Sequence, residues 1–136
     1  MNRTLVLASL IAMVTAGIHV FMGGASVVES LLASALDARP KLILYAVWHM
    51  ASVALVLSAL ALFVASLPRQ ADAMRSLVRF IALLWCAFGL VFLAIVATAP
   101  GTDWLFKLPQ WALLLPVGLL GFGGSWGRSR RSNNEF

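Results

Sequence analysis

Leu5-Val6-Leu7-Ala8-Ser9-Leu10-Ile11-Ala12-Met13-Val14-Thr15-Ala16-Gly17-Ile18-His19-Val20-Phe21-Met22-Gly23-Gly24-Ala25-Ser26-Val27-Val28 runs for 24 residues without an Asp, Glu, Lys or Arg. A helix rising 1.5 Å per residue covers about 36 Å over that length, more than the roughly 30 Å of hydrocarbon in a bilayer. Three further stretches are equally free of charge: Leu42 to Leu67, Phe80 to Thr102 and Leu108 to Gly127. The whole chain of 136 residues is 62% hydrophobic and 11% charged, whereas a soluble domain carries about 25% charged residues. A fold of this length has too little interior to hide so much apolar surface, so lipid is its solvent. The pattern predicts an all-α integral membrane protein, a four-helix up-down-up-down bundle in one domain. Its spans fall near 5–28, 42–67, 78–99 and 108–126, with a basic polar tail over 127–136.

Charge placement orients the spans. Arg3 precedes the first, Arg69, Arg75 and Arg79 lie between the second and third, and Arg128, Arg130 and Arg131 follow the fourth. The opposite connections hold only Arg39, Lys41 and Lys107. Short loops obey the positive-inside rule, which puts both termini in the cytoplasm of a cell inner membrane. The pI of about 10.8 is therefore a topology signal, with some attraction of the tail to anionic lipid. No motif points to nucleic acid. Arg3, the apolar core and Val14-Thr15-Ala16 also resemble a cleavable secretory signal. The apolar run continues past Ala16 to Val28, which favours retention of the segment as a span.

Two histidines, the chain's entire complement, lie inside apolar runs. His19 belongs to the first span and His49 to the second, and ionisable groups in such places are costly enough to suggest function. On the first span Ala8, Ala12, Thr15, His19, Gly23, Ser26 and Ser30 share one face at 100° per residue, a small-residue stripe suited to close helix packing. The corresponding histidine face of the second span holds Leu42, Tyr45, Ala46, His49, Ser52, Val53 and Val56. Counted from Thr4, His19 is about 22 Å above the cytoplasmic surface; counted down from Lys41, His49 is about 18 Å above it. The two levels differ by less than a turn, and antiparallel helices joined by a short loop are neighbours. After Gly23-Gly24, residues 25–38 either continue the helix or fold over at the outer surface, where Glu29 would stand above the imidazoles.

Two imidazoles and a carboxylate at one level form a candidate metal set, His19, His49 and Glu29, for zinc, copper or iron. A b-type haem is a second possibility, with His19 and His49 as axial ligands and Gly23-Gly24 leaving room for a macrocycle. Alternatively, each histidine hydrogen-bonds across helices to Thr15, Ser52, Tyr45 or a backbone carbonyl, or lines a proton or solute pathway. Cys86, the single cysteine, reads as a packing residue in the third span. Gly118, Gly121 and Gly124, with Gly123, strip the fourth span of bulk and invite another helix, from this chain, a second copy or a larger membrane complex. The short loop 69–75 predicts that the second and third helices are neighbours. There is no nucleotide loop, catalytic triad or cysteine ligand set, so the reading leans away from an enzyme.

His19-x-x-x-Gly23-Gly24 on the first span and Trp48-His49 on the second resemble small four-span bacterial inner-membrane proteins, over roughly Ala16 to Leu60. The likeness implies the architecture and no activity. Small multidrug exporters are also short four-span proteins, and that resemblance would imply a carboxylate deep in the first helix. Glu29 stands at its outer end instead, so the chain departs from the pattern on which proton-coupled export depends. The expected functions are therefore a metal- or haem-binding membrane protein, a non-catalytic accessory subunit or assembly factor, and a membrane enzyme or transporter for a lipid-soluble substrate.

Overall fold

Asn2 starts the first helix by accepting the backbone N–H groups of Thr4 and Leu5 on its side-chain oxygen, which satisfies two donors that a helix start leaves bare. From there the computed structural model, which describes residues 1–70, 72–101 and 103–126, is helical in every regular element described. Helix α1 spans Arg3–Ala33 and α2 spans Ala38–Ser66. Helix α3 covers Arg75–Thr98, the short α4 covers Trp104–Lys107, and α5 covers Trp111–Trp126. The all-α class read from the apolar runs is what the chain adopts. Helices α1, α2 and α3 are long and apolar enough to cross a membrane. Helix α5 is as apolar but has 16 residues, about 24 Å of rise. The tail over 127–136, with Arg128, Arg130 and Arg131, lies outside the described residues.

Asn2 also fixes the relative directions of three helices. Its backbone N–H donates to the Ser66 carbonyl at 2.8 Å, and its side-chain amide donates to the Gly124 carbonyl at 2.8 Å. The last turns of α2 and α5 are thereby held beside the first turn of α1, antiparallel to it. Helix α3 runs against α5, with Gly89 facing Leu115 and Ala82 facing Gly121. Successive long helices thus alternate in direction within one helical bundle.

The core lies in only one half of that bundle. Leu5, Ala8, Ala12 and Ala16 of α1 meet Leu55, Ala59, Leu62 and Ala65 of α2, Val78, Ile81 and Trp85 of α3, and Leu114 and Val117 of α5. All of these belong to the inner half, the one that contains Asn2. Alanine and glycine allow the close backbone approach on which packing in lipid depends. A Cβ on Gly118 would collide with Cys86 and the Ala82 carbonyl, and one on Gly124 would lie 2.5 Å from Leu5 Cδ2. These glycines are therefore engaged inside the chain.

The outer half is uncovered. No residue of α1 from His19 to Ala33 is buried, none of α2 before Leu55, and none of α3 beyond Gly89. Helix α3 packs chiefly on α5, and α1 on α2 and α5, while α2 and α3 touch only lightly. A short loop predicts more contact than that. The glycine face of α5 takes the small-residue side of α3, and the Asn2 bond to Ser66 holds α2 on α1, so the consecutive pair is left apart.

Helix α1 continues unbroken through Gly23-Gly24 to Ala33, with π-helical turns from His19 to Val28. The Glu29 N–H, for example, donates to the carbonyl of Gly24, five residues back. Ser34 and Asp37 then make the turn into α2, where Lys41 Nζ donates to the carbonyls of Leu32 and Ser34 at 3.0 and 2.8 Å. A cation on the terminal carbonyls of α1 complements that end of the helix dipole. At the other outer connection Gly101 has φ +102°, a conformation that suits glycine after Pro100. Trp104 Nε1 closes this turn on the Pro100 carbonyl at 2.8 Å.

Candidate functional site

His19 is the first residue of the π-helical turns into which α1 widens, and Trp48 of α2 lies flat on it. The two ring centroids are 3.9 Å apart with planes 15° from parallel. The far edge of the same indole covers Gly23, where a Cβ would come within 2.5 Å of Trp48 Cη2. Gly23 therefore admits the ring that packs His19, whereas a Cβ on Gly24 next to it would meet nothing within 4 Å. π-Helical turns inside α-helices gather at functional sites. Here they begin on the histidine that the sequence marks out.

His19 Nε2 is enclosed and makes no hydrogen bond of ordinary geometry among the described residues, although the ring has a backbone polar contact with Trp48. The hydroxyls one turn from His19 on α1 and one turn from Trp48 on α2 each donate to their own helix backbone. Thr15 Oγ1 donates to the Ile11 carbonyl at 2.8 Å, and Ser52 Oγ donates to the Trp48 carbonyl at 3.0 Å. A buried polar atom without a partner is rare enough to demand an explanation. The other such atom among the described residues, Trp85 Nε1, belongs to the inner core and carries no sequence motif.

His49 follows Trp48 but points 100° further round α2, onto an exposed flank. Its ring meets Tyr45 edge-on, with centroids 4.5 Å apart and planes 84° apart. The structure brings His19 to Trp48 and His49 to Tyr45. The histidine face read on α2 is largely exposed, while Trp48 and Leu55 point toward the other helices. Ser26 and Ser30 on α1 are exposed as well and bond back to the carbonyls of Met22 and Ser26. Glu29 is exposed on the helical continuation of α1, ten residues past His19 and not folded over the imidazoles.

No family model, curated protein or solved structure matches this chain. Function must therefore be argued from the site alone. Among the described residues no three of His, Cys, Asp or Glu come together as a metal cluster. What the site offers is one enclosed imidazole in an aromatic stack, a second imidazole on the adjoining flank, and a phenol beside it.

Proposed function

We propose that the protein is a non-catalytic four-span protein of the bacterial inner membrane, both termini cytoplasmic, that binds a ligand in the outer half of a four-helix bundle through His19 and His49. A transition-metal ion or haem b is the ligand class that imidazole chemistry favours. The observation that carries this reading is the enclosed Nε2 of His19, which makes no hydrogen bond of ordinary geometry among the described residues. Two imidazoles leave a coordination sphere incomplete, so further donors come from a small ligand or a partner, with Glu29 the weaker candidate within the chain. An absorption spectrum with elemental analysis of the purified protein tests the proposal. A stoichiometric metal or a Soret band is the expected result; a protein free of both removes this reading.

A second reading, an accessory subunit or assembly factor of a larger membrane complex, is favoured by the uncovered outer halves of α1, α2 and α3. Gly118, Gly121 and Gly124 of α5 are occupied within the chain, so the docking face would be this outer half. Loss of a co-purifying membrane partner on Met50→Trp or Phe21→Ala, with the protein still folded, is the expected result. Both residues are exposed large hydrophobics of that half.

A further inference from the structure

Helices α3 and α5 measure the slab in which the chain stands. Asn2 is bonded to Ser66 and Gly124, so one level joins the start of α1 with the ends of α2 and α5. Leu115 of α5 stands about 13.5 Å above that level at 1.5 Å per residue. Gly89 packs against Leu115, and Thr98, the last residue of α3, lies about 13.5 Å higher still. Thr98 is therefore about 27 Å above Asn2, one hydrocarbon thickness. Arg3 and Arg79 bound it on one side, and the connection with Asp103 and Lys107 on the other. Helix α2 overshoots this slab. Trp48, stacked on His19, is level with Thr98, but Ala38 is about 42 Å above Ser66. Helix α1 keeps pace, since Lys41 bonds the carbonyls of Leu32 and Ser34 near its end. The α1–α2 hairpin thus rises about 15 Å out of the hydrocarbon, with Lys41 above the edge and not at it.

This projecting hairpin is apolar and bare. Val27, Leu32, Leu36, Leu42, Ile43 and Leu44 are each between 46% and 62% exposed. The headgroup layer, about 5–8 Å deep, reaches only half of the rise, and a broad apolar surface held in water marks a protein contact. Charge identifies the partner. The hairpin carries Glu29, Asp37, Arg39 and Lys41, two of each sign, so two copies meet without net repulsion. Lys41 is committed to its own α1. Glu29 and Arg39 are exposed, and the ion pairs among the described residues, Arg75–Asp72 and Lys107–Asp103, include neither. Glu29 is in the last turn of α1 and Arg39 in the first turn of α2, about one turn apart in height. When two hairpins lie side by side about a two-fold axis along the membrane normal, α1 of each packs against α2 of the other. Glu29 of each copy then stands beside Arg39 of the other, the reciprocal contact of an isologous interface. We propose that a second copy of this chain covers the projecting α1–α2 hairpin, with these two ion pairs flanking the contact. The proposal rests on the docking face of the accessory-subunit reading and names its occupant; it is independent of the metal or haem reading.

Two full-length chains with different tags are co-expressed, one with Glu29→Cys and the other with Arg39→Cys, and oxidised in native membranes. A disulfide joining the two tags is expected. Leu83→Cys, on the lipid side of α3 and 59% exposed, should give none, and Cys86, about 10 Å above Asn2, is too far away to compete. Single-molecule photobleaching in liposomes then measures the dimer fraction as protein is diluted in lipid. Glu29→Arg or Arg39→Glu should weaken dimerisation about fivefold, the scale of two exposed ion pairs. Both exchanges in one chain should restore it, which separates a lost contact from a lost fold. Monomers at every dilution, or dimers that neither single exchange weakens, overturn the proposal. So does a Glu29→Cys crosslink to a different chain with no homodimer, which would leave the accessory-subunit reading standing. No crosslink to any chain removes the docking face itself. A stoichiometric metal bound to a monomer would sink this inference and leave the metal reading in place.

Discussion

At the scale of single residues, Gly23 and Gly24 divide sharply although they are adjacent and identical. A methyl group on Gly23 would meet the Trp48 ring, which is already fixed by its stack on His19, so the indole must leave its place. Gly23→Ala should lower stability by about 1–3 kcal/mol, the range for overpacking, and shift Trp48 emission. Gly24→Ala meets open space and should be neutral or stabilising by about 0.5–1 kcal/mol, since glycine is the weaker helix former. Thermal unfolding in detergent with fluorescence readout decides; equal losses for both would mean that Trp48 does not lie over Gly23. The histidines make a second test at this scale. If His19 and His49 share one metal or haem, either alanine variant should lose most of the ligand and the double variant little more, because groups serving one centre are non-additive. Additive stability losses with no ligand present would leave two independent histidines.

At the scale of helices, α5 shows what its glycines accomplish. Gly118 and Gly121 admit Cys86 and Ala82 of α3, and Gly124 admits Leu5 of α1. A Cβ on Gly123 would meet only Thr4 Cγ2, at 3.9 Å. Gly121→Leu and Gly124→Leu should therefore unfold the monomer at lower temperature, while Gly123→Ala changes little; size-exclusion with melting curves separates this from an oligomer effect. If Gly121→Leu altered only the oligomeric state, the intramolecular packing of α3 on α5 would be wrong. The helices themselves were legible in the sequence, because charge-free runs of spanning length have one stable solution in lipid. The close approach on α5 was legible too, though not which helix makes it. What escaped was the rotation of α2. Trp48 and His49 are adjacent letters, and nothing in the sequence says which of two directions 100° apart faces α1. The structure gives that place to the indole, because its flat ring fills the gap over Gly23. The π-helical turns were hinted at by Gly23-Gly24, but glycine pairs permit several courses and select none.

At the scale of the whole molecule, the bundle is closed in one half and open in the other. Alanines at Ala8, Ala12, Ala16, Ala59 and Ala65 draw the inner halves together, whereas aromatic and aliphatic side chains such as Phe21, Met22 and Met50 stand out from the outer halves. Asn2 bonds to both Ser66 and Gly124, so the start of α1, the end of α2 and the end of α5 share one side whatever the orientation in the bilayer. Arg3, Arg69, Arg75 and Arg79 lie on that side, and the positive-inside rule predicts, as proposed above, that it faces the cytoplasm. Reporter fusions within residues 69–75 and after Phe136 should read as cytoplasmic, and fusions at Asp37 and Asp103 as external. The critical pair is Asp103 and the C-terminus, since α5 is the shortest of the apolar helices after α1, α2 and α3. If both report the same side, α5 does not cross, and its contacts with Leu5 and Ala82 would have to form within one leaflet. If they report opposite sides, the 16 residues of α5 cross with help from α4 and the turn before Trp111, and the outer opening, with His19, Tyr45 and His49, faces away from the cytoplasm.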